Sequence, residues 1–282
     1  MEKKYKLTEE TIKVDGRILY RIEALKYFGD VIVGEKGGFI ESEDNLSQSG
    51  NCWIYNNAKV YDDAKVFDDA SVGGNAIVCD NTKICGYAKV YGHAIVYGHA
   101  TVCDAQVYDN ASVDNGALVC GNAKVYGHAI VCGDAQVYDN AIVCDDAQVY
   151  DNAVIYDKVK VYGHATVYGH ATVCDDAQVY DNASVDDGAL VCGNAKVCGN
   201  AEIYGNAVIT SNSDYIVFKN WWSSGRHFTW TRSNNMWKVG CFYGTGNELI
   251  EKAYKDSNKS GKEYERIVKY VEFSIVDDTV DA

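Results

Sequence analysis

Between Ile54 and Ile209 an aliphatic residue returns every six positions, passing through Val60, Val66, Val72, Val78, Ile84, Val90, Val96 and Val102. After a single five-residue step it resumes at Val107, Val113, Val119 and Val125 and runs on to Ile203. Two positions before each of these, from Ala58 to Ala207, stands an alanine, replaced only by Thr82 and Val159. A helix would need apolar residues at i, i+3, i+4 and i+7, which the repeat does not supply, and an ordinary strand alternates briefly and then turns. Here the alanine and the aliphatic residue lie two apart, on one side of an extended segment. The corner pairs are Gly-His, Gly-Asn, Asp-Asp and Asp-Asn, types that tolerate the positive φ of a tight bend. Strand and corner recurring at a fixed period predict a solenoid.

Three hexads close a triangular coil of eighteen residues, with alanine at the crowded corner and valine in the centre. Twenty-seven hexads then give nine coils, roughly 43 Å long at about 4.8 Å per coil. The absence of proline agrees, since each coil must donate its N–H groups to a parallel ladder. An internal duplication is consistent with this coil length. Residues 91–125 and 162–197 are near copies, offset by 71 and then by 72 after a missing aspartate near Asp104. Seventy-two is four coils, so the copied block stacks in register.

A typical unit, Val-Tyr-Gly-His-Ala-Thr, resembles the hexapeptide repeat of left-handed β-helices. The stretch Gly37-Gly38-Phe39-Ile40, with Asn45-Leu46-Ser47 and Gly50-Asn51-Cys52-Trp53-Ile54-Tyr55, is similar to the entry of uncharacterised hexapeptide-repeat proteins of bacteria and prophages, known as acyltransferase-like or polymer-forming. The segment around Val239-Gly240-Cys241-Phe242 resembles small domains attached to phage-type proteins of this kind. The resemblance implies a left-handed parallel β-helix, often carried on a mobile genetic element. It implies no particular reaction.

The expected organisation has three parts. Residues 1–50 form an N-terminal β cap, with a hairpin signal at Val14-Asp15-Gly16-Arg17-Ile18. Residues 51–212 form the helix, and residues 213–282 form a small α+β domain where the hexad is lost. In that domain Tyr215–Phe218, Phe228–Arg232 and Trp237–Phe242 read as strands, and Asn247–Tyr254 and Lys262–Val271 as helices.

Charge and cysteine usage narrow the function classes. Residues 51–212 carry eight lysines, no arginine and twenty acidic residues, within a net charge of −14 for the chain. An acidic rod repels phosphate backbones, so no nucleic-acid partner is expected. No apolar run reaches membrane-span length and Met-Glu-Lys-Lys-Tyr does not read as a signal peptide, so no membrane association and a bacterial cytoplasmic location are expected. Nine of eleven cysteines share the slot directly after the aliphatic residue, where tyrosine stands in most other hexads. Cysteines one coil apart could touch and hold a metal. Without a CxxC pair or a Cys/His finger spacing, free thiols, no metal and no cofactor are expected.

Three features bear on function. His93, His99, His128, His164 and His170 occupy the corner slot that asparagine fills elsewhere, and His128, Asp146 and His164 stack on one corner. Hexapeptide acyltransferases use a histidine base with a loop extruded from one coil. These hexads run uninterrupted, so no catalytic residue is assigned. One face, carrying Leu118/Cys120, Gln136/Tyr138, Val154/Tyr156, Thr172/Cys174, Leu190/Cys192 and Val208/Thr210, has no charge over six coils. It marks an interface, with Leu118, Tyr138, Val154, Tyr156, Leu190 and Val208 as contact residues of a homo-oligomer, dimer or trimer, or of a host-protein complex. Finally, Trp221, Trp222, Arg226, His227 and Arg232 suit a ligand with a planar ring and a negative group, such as a nucleotide. The same aromatics also suit the core of a small domain.

The expected function is a non-catalytic, oligomeric, phage-type binding protein that captures a host factor or nucleotide-like molecule, by analogy with proteins that sequester immune signals. The alternatives are a CoA-dependent acyltransferase and a structural filament or tip protein.

Overall fold

The computed structural model describes residues 2–278. Its body is a parallel β-helix, and each hexad contributes one short strand such as Gln136–Val137 or Val154–Ile155. Coil strands align in register one above another, Gln136 beside Val154 and Val154 beside Thr172, a step of eighteen residues. At the five-residue hexad the step shortens to seventeen, Thr101 pairing with Leu118. The helix absorbs the deletion because it falls in a corner, where Asp104 alone makes the bend at φ 59°.

Two nine-stranded parallel sheets and one twelve-stranded sheet form the three faces. Each contains nine coil strands, and the third gains β1 (Tyr5–Val14), β2 (Arg17–Ala24) and β3 (Lys36–Ile40). Every repeat alanine and aliphatic residue is buried in one continuous core.

The N-terminal segment both caps and starts the ladder. β1 and β2 form an antiparallel hairpin turned at Asp15 and Gly16, both at positive φ. β3 already pairs in parallel with the strand Lys59–Val60, and Leu46 bridges to Val66, so an incomplete coil precedes the first full one. Gly37 and Gly38 are required by close approach. A Cβ on either would lie 2.5 Å from a backbone oxygen, that of Ile54 or Ala58. The open end is plugged by Trp53, buried edge-on against Tyr5 and Phe28.

The opposite end is closed by side chains. Each coil donates its N–H groups to carbonyls of the next, so the last coil presents donors with no coil to receive them. Asn212 accepts from Lys196 N–H (2.8 Å), the Tyr215 hydroxyl from Cys198 (3.3 Å), Thr229 from Glu202 (2.9 Å) and Ser233 from Val208 (2.7 Å). Asp214 accepts from the Thr210 N–H at 2.7 Å.

Beyond this cap, the strands Tyr215–Lys219, His227–Thr231, Met236–Val239 and Phe242–Gly244 form an antiparallel meander. Helices α1 (Gly246–Asp256) and α2 (Asn258–Asp278) complete the domain. The expected strand Trp237–Phe242 is therefore two strands, because Gly240 at φ 54° breaks it into a turn. α1 begins at a capping box in which Thr245 and Glu248 satisfy each other's backbone N–H. No helix among the described residues is long and apolar enough to cross a membrane.

Candidate ligand cleft at the end of the solenoid

The C-terminal sheet meets the last coils along Glu202 and Thr229, and a cleft of about 460 Å³ opens beside this seam. Its solenoid wall is Tyr168, Ser184, Glu202 and Tyr204, and its other wall is Arg226, His227, Lys238 and Gly240. The strand His227–Thr231 is preceded by a closed loop that sets Arg226 at the rim. Within it, Asn220 N–H donates to the Arg226 carbonyl (2.7 Å) and Gly225 N–H to the Asn220 carbonyl (2.8 Å). Lys238 follows Trp237 on the neighbouring strand, so Trp237 enters the domain core while Lys238 faces the solenoid with its ammonium 4.0 Å from the Tyr204 ring centre.

Three cationic or ionisable nitrogen groups thus line one cleft with Glu202, and two of them, Lys238 and His227, act on its carboxylate. Burial raises the Glu202 pKa, opposed by the nearby Lys238 and His227 charges. Desolvation wins, so the carboxyl is poised to become neutral at higher pH than a free glutamate. A site with two aromatic rings, two permanent cations and a carboxyl that can discharge is suited to a flat anionic ligand.

The structure brings together only part of the expected constellation. Arg226 and His227 line the cleft. Trp222 is buried in the domain core, perpendicular to Tyr264 at 5.2 Å and to Phe228 at 6.4 Å, and does not line the cleft. Trp221 is 75% exposed and stands edge-on to Trp222, outside the cleft lining. Arg232 lies past the other end of the strand His227–Thr231, its N–H held by the Asp214 carbonyl. Sequence proximity gathered five residues that the strand's extension separates. The cleft residues missed by sequence reading, Glu202, Tyr204 and Lys238, come from coil and sheet pairings across distant stretches of chain.

The repeat histidines act as corner residues. His93, His99, His128, His164 and His170 each donate the backbone N–H to the backbone carbonyl one coil on, at 2.6–2.7 Å, as Asn110 and Asn140 do at 2.9 Å. Within the His128, Asp146 and His164 corner, His164 Nδ1 lies 3.8 Å from Asp146, with both side chains more than half exposed.

Of the six expected interface residues, Leu118, Val154, Leu190 and Val208 stand on one nine-stranded sheet, in the stack Leu118, Gln136, Val154, Thr172, Leu190 and Val208, and Tyr138 and Tyr156 directly follow its strands Gln136–Val137 and Val154–Ile155. Tyr138 and Tyr156 on that sheet stack at 5.4 Å. The column also contains Cys174 and Cys192, whose thiols and the Asp175 carboxylate lie within 4.8 Å of one another.

No established family profile matches this chain. Among curated proteins, a 62-residue stretch is 44% identical to the uncharacterised acetyltransferase YdcK of Escherichia coli (strain K12), covering 19% of this chain and 19% of that protein. The chain thus spans about a fifth of the length of the curated relative it matches. The similarity and the solenoid together fit a hexapeptide-repeat β-helix.

Proposed function

We propose that the chain is a non-catalytic binding protein that captures a small anionic, nucleotide-like ligand in the cleft between the last coils and the C-terminal sheet. The observation that carries this reading is the convergence of Arg226, His227 and Lys238 beside Tyr204, on a chain of net charge −14. On so acidic a molecule, a cationic pocket concentrates an anion that the rest of the surface repels. The phage-type form of this reading is the trapping of a nucleotide signal in the bacterial cytoplasm, in which the phage setting rests on the sequence resemblance and the trapping on functional analogy. Calorimetric titration with a panel of linear and cyclic nucleotides tests it. At least one should bind, and Arg226→Ala with Lys238→Ala should weaken that binding about tenfold or more, about 1.4 kcal/mol. Absence of binding across the panel, or binding indifferent to both substitutions, overturns it.

A second reading is supported by the similarity to YdcK, whose name makes it an acetyltransferase. On that reading acetyl-CoA protects the chain against thermal unfolding, and His128→Asn abolishes acyl transfer. On the binding reading acetyl-CoA gives no protection and His128→Asn is silent, because asparagine serves the same corner elsewhere.

A further inference from the structure

On the uncharged face, the coil-to-coil register sets Thr172 beside Leu190 and Val173 beside Val191, which places Cys174 directly against Cys192. Asp175 follows Cys174 at the corner with φ 62°, a bend that turns its carboxylate toward the next coil. There its Oδ2 accepts the Gly193 N–H at 2.8 Å, which anchors the carboxylate beside the Cys192 coil. The two Sγ atoms and a carboxylate oxygen all lie within 4.8 Å of one another. Ligands of one tetrahedral zinc, at about 2.3 Å for sulfur and about 2.0–2.2 Å for oxygen, lie about 3.5–3.8 Å apart. Small side-chain rotations therefore suffice to close them on an ion.

We propose that Cys174, Cys192 and Asp175 bind a single thiophilic divalent cation, of which Zn²⁺ has the matching chemistry. Two thiolates and one carboxylate supply three ligands, and the exposed side of Asp175 leaves the fourth position to water. Binding displaces one proton from each thiol to solvent, so the ion exchanges against two protons. The surroundings favour a cation. The outward strand positions from Leu118 to Thr210 carry no lysine or arginine. Asp175 and Asp214 lie close enough to act electrostatically on Cys192, and their negative charge stabilises a bound cation. A second grouping, Asp62, Cys79 and Asp80, does not qualify, because Asp62 is already ion-paired with Arg17. The site is independent of the cleft and of the ligand proposed for it.

The test is titration of the reduced, metal-stripped full chain with Co²⁺, followed by Zn²⁺. The expected result is one equivalent of tetrahedral Co²⁺ with thiolate charge-transfer absorption, displaced by Zn²⁺. Cys174→Ser and Cys192→Ser should each weaken Co²⁺ binding tenfold or more and reduce that absorption. Serine is tolerable in this slot, since Thr210 occupies the corresponding place one coil on. A control, Cys85→Ser with Cys103→Ser, should change nothing. In the unmutated chain, Zn²⁺ should slow alkylation of Cys174 and Cys192 while leaving the exposed Cys241 unaffected. The proposal is overturned if no thiolate absorption develops, if it survives the Cys174→Ser/Cys192→Ser double variant, if it depends on Cys85 and Cys103 instead, or if Zn²⁺ leaves alkylation of Cys174 and Cys192 unchanged.

Discussion

Each corner rests on one residue in the left-handed region. Asp62, Asp109, Asp139 and Asp181 adopt φ of 58–60°, and Gly92, Gly127 and Gly163 take 70–74° in the equivalent place. Aspartate returns something for this strain, since its carboxylate accepts the N–H of the matching residue one coil on, as Asp109 does from Gly127 and Asp181 from Gly199. Much of the acidity of the rod is therefore corner chemistry. Inside, the tolerance is small. Val137→Asp would bury an unpaired charge in the continuous core at a cost of several kcal/mol, so loss of the β circular dichroism signal is expected. At the cleft, Glu202 has a raised pKa from burial. The folded state favours its neutral form, so this contribution to stability is present below the ordinary carboxylate range and is lost as pH rises through the raised value. Comparing Glu202→Gln with the unmutated chain across that window should show the variant losing less stability as pH rises. An anionic ligand in the cleft should also bind the variant more tightly at neutral pH. Identical pH profiles of stability would contradict the burial of this charge.

At the scale of the element, a two-residue strand has almost no stability of its own, and the ladder supplies it. Outward positions form columns that repeat at the coil spacing. Tyr91, Tyr108 and Tyr126 stack at 4.9 and 4.8 Å with nearly parallel planes, and Tyr162 stacks on Tyr180 at 5.0 Å. Removing the middle ring, Tyr108→Ala, takes away two aromatic contacts worth about 0.5–1.5 kcal/mol each. A destabilisation of about 1–3 kcal/mol in denaturant unfolding is expected, whereas Tyr87→Ala, at an exposed corner, should be nearly neutral. Equal effects of the two changes would mean that the columns are decorative. The end cap belongs to this scale too. It replaces the missing coil with five side-chain acceptors drawn from Asn212, Asp214, Tyr215, Thr229 and Ser233.

For the whole molecule, the three faces differ in what they offer a partner. One carries the N-terminal hairpin, one displays Lys124, Lys160 and Lys196, and one is uncharged at its outward positions from Leu118 to Thr210. Two acidic rods repel each other except where no charge is presented, so we propose that self-association uses the third face. Leu190→Lys with Val154→Lys should give a folded monomer, while the unmutated chain scatters light as a dimer or trimer. A monomeric unmutated chain at micromolar concentration would end this idea.

The hexad by itself determined the solenoid, its coil length, the inward valines and alanines and the strained corners, because each depends on residues a few positions apart and on a repeat that averages over local exceptions. It also placed the Asp-Gly hairpin and the C-terminal helices, whose signals are local. The coil register was enough to gather the uncharged face on one sheet. Tertiary structure alone decided the rest. The parallel ladder starts at β3, within the expected cap, because Gly37 and Gly38 allow it to approach Ile54 and Ala58 closely. The aromatics of the last domain divide between core and surface according to how the turn between the strands Tyr215–Lys219 and His227–Thr231 folds back, so Trp222 packs inside and Trp221 does not. Arg226 and Lys238 line one cleft with Glu202 and Tyr204 only because the antiparallel meander docks on the last coil through Thr229. That docking joins segments whose spacing follows no period, and a repeat can announce only what it repeats.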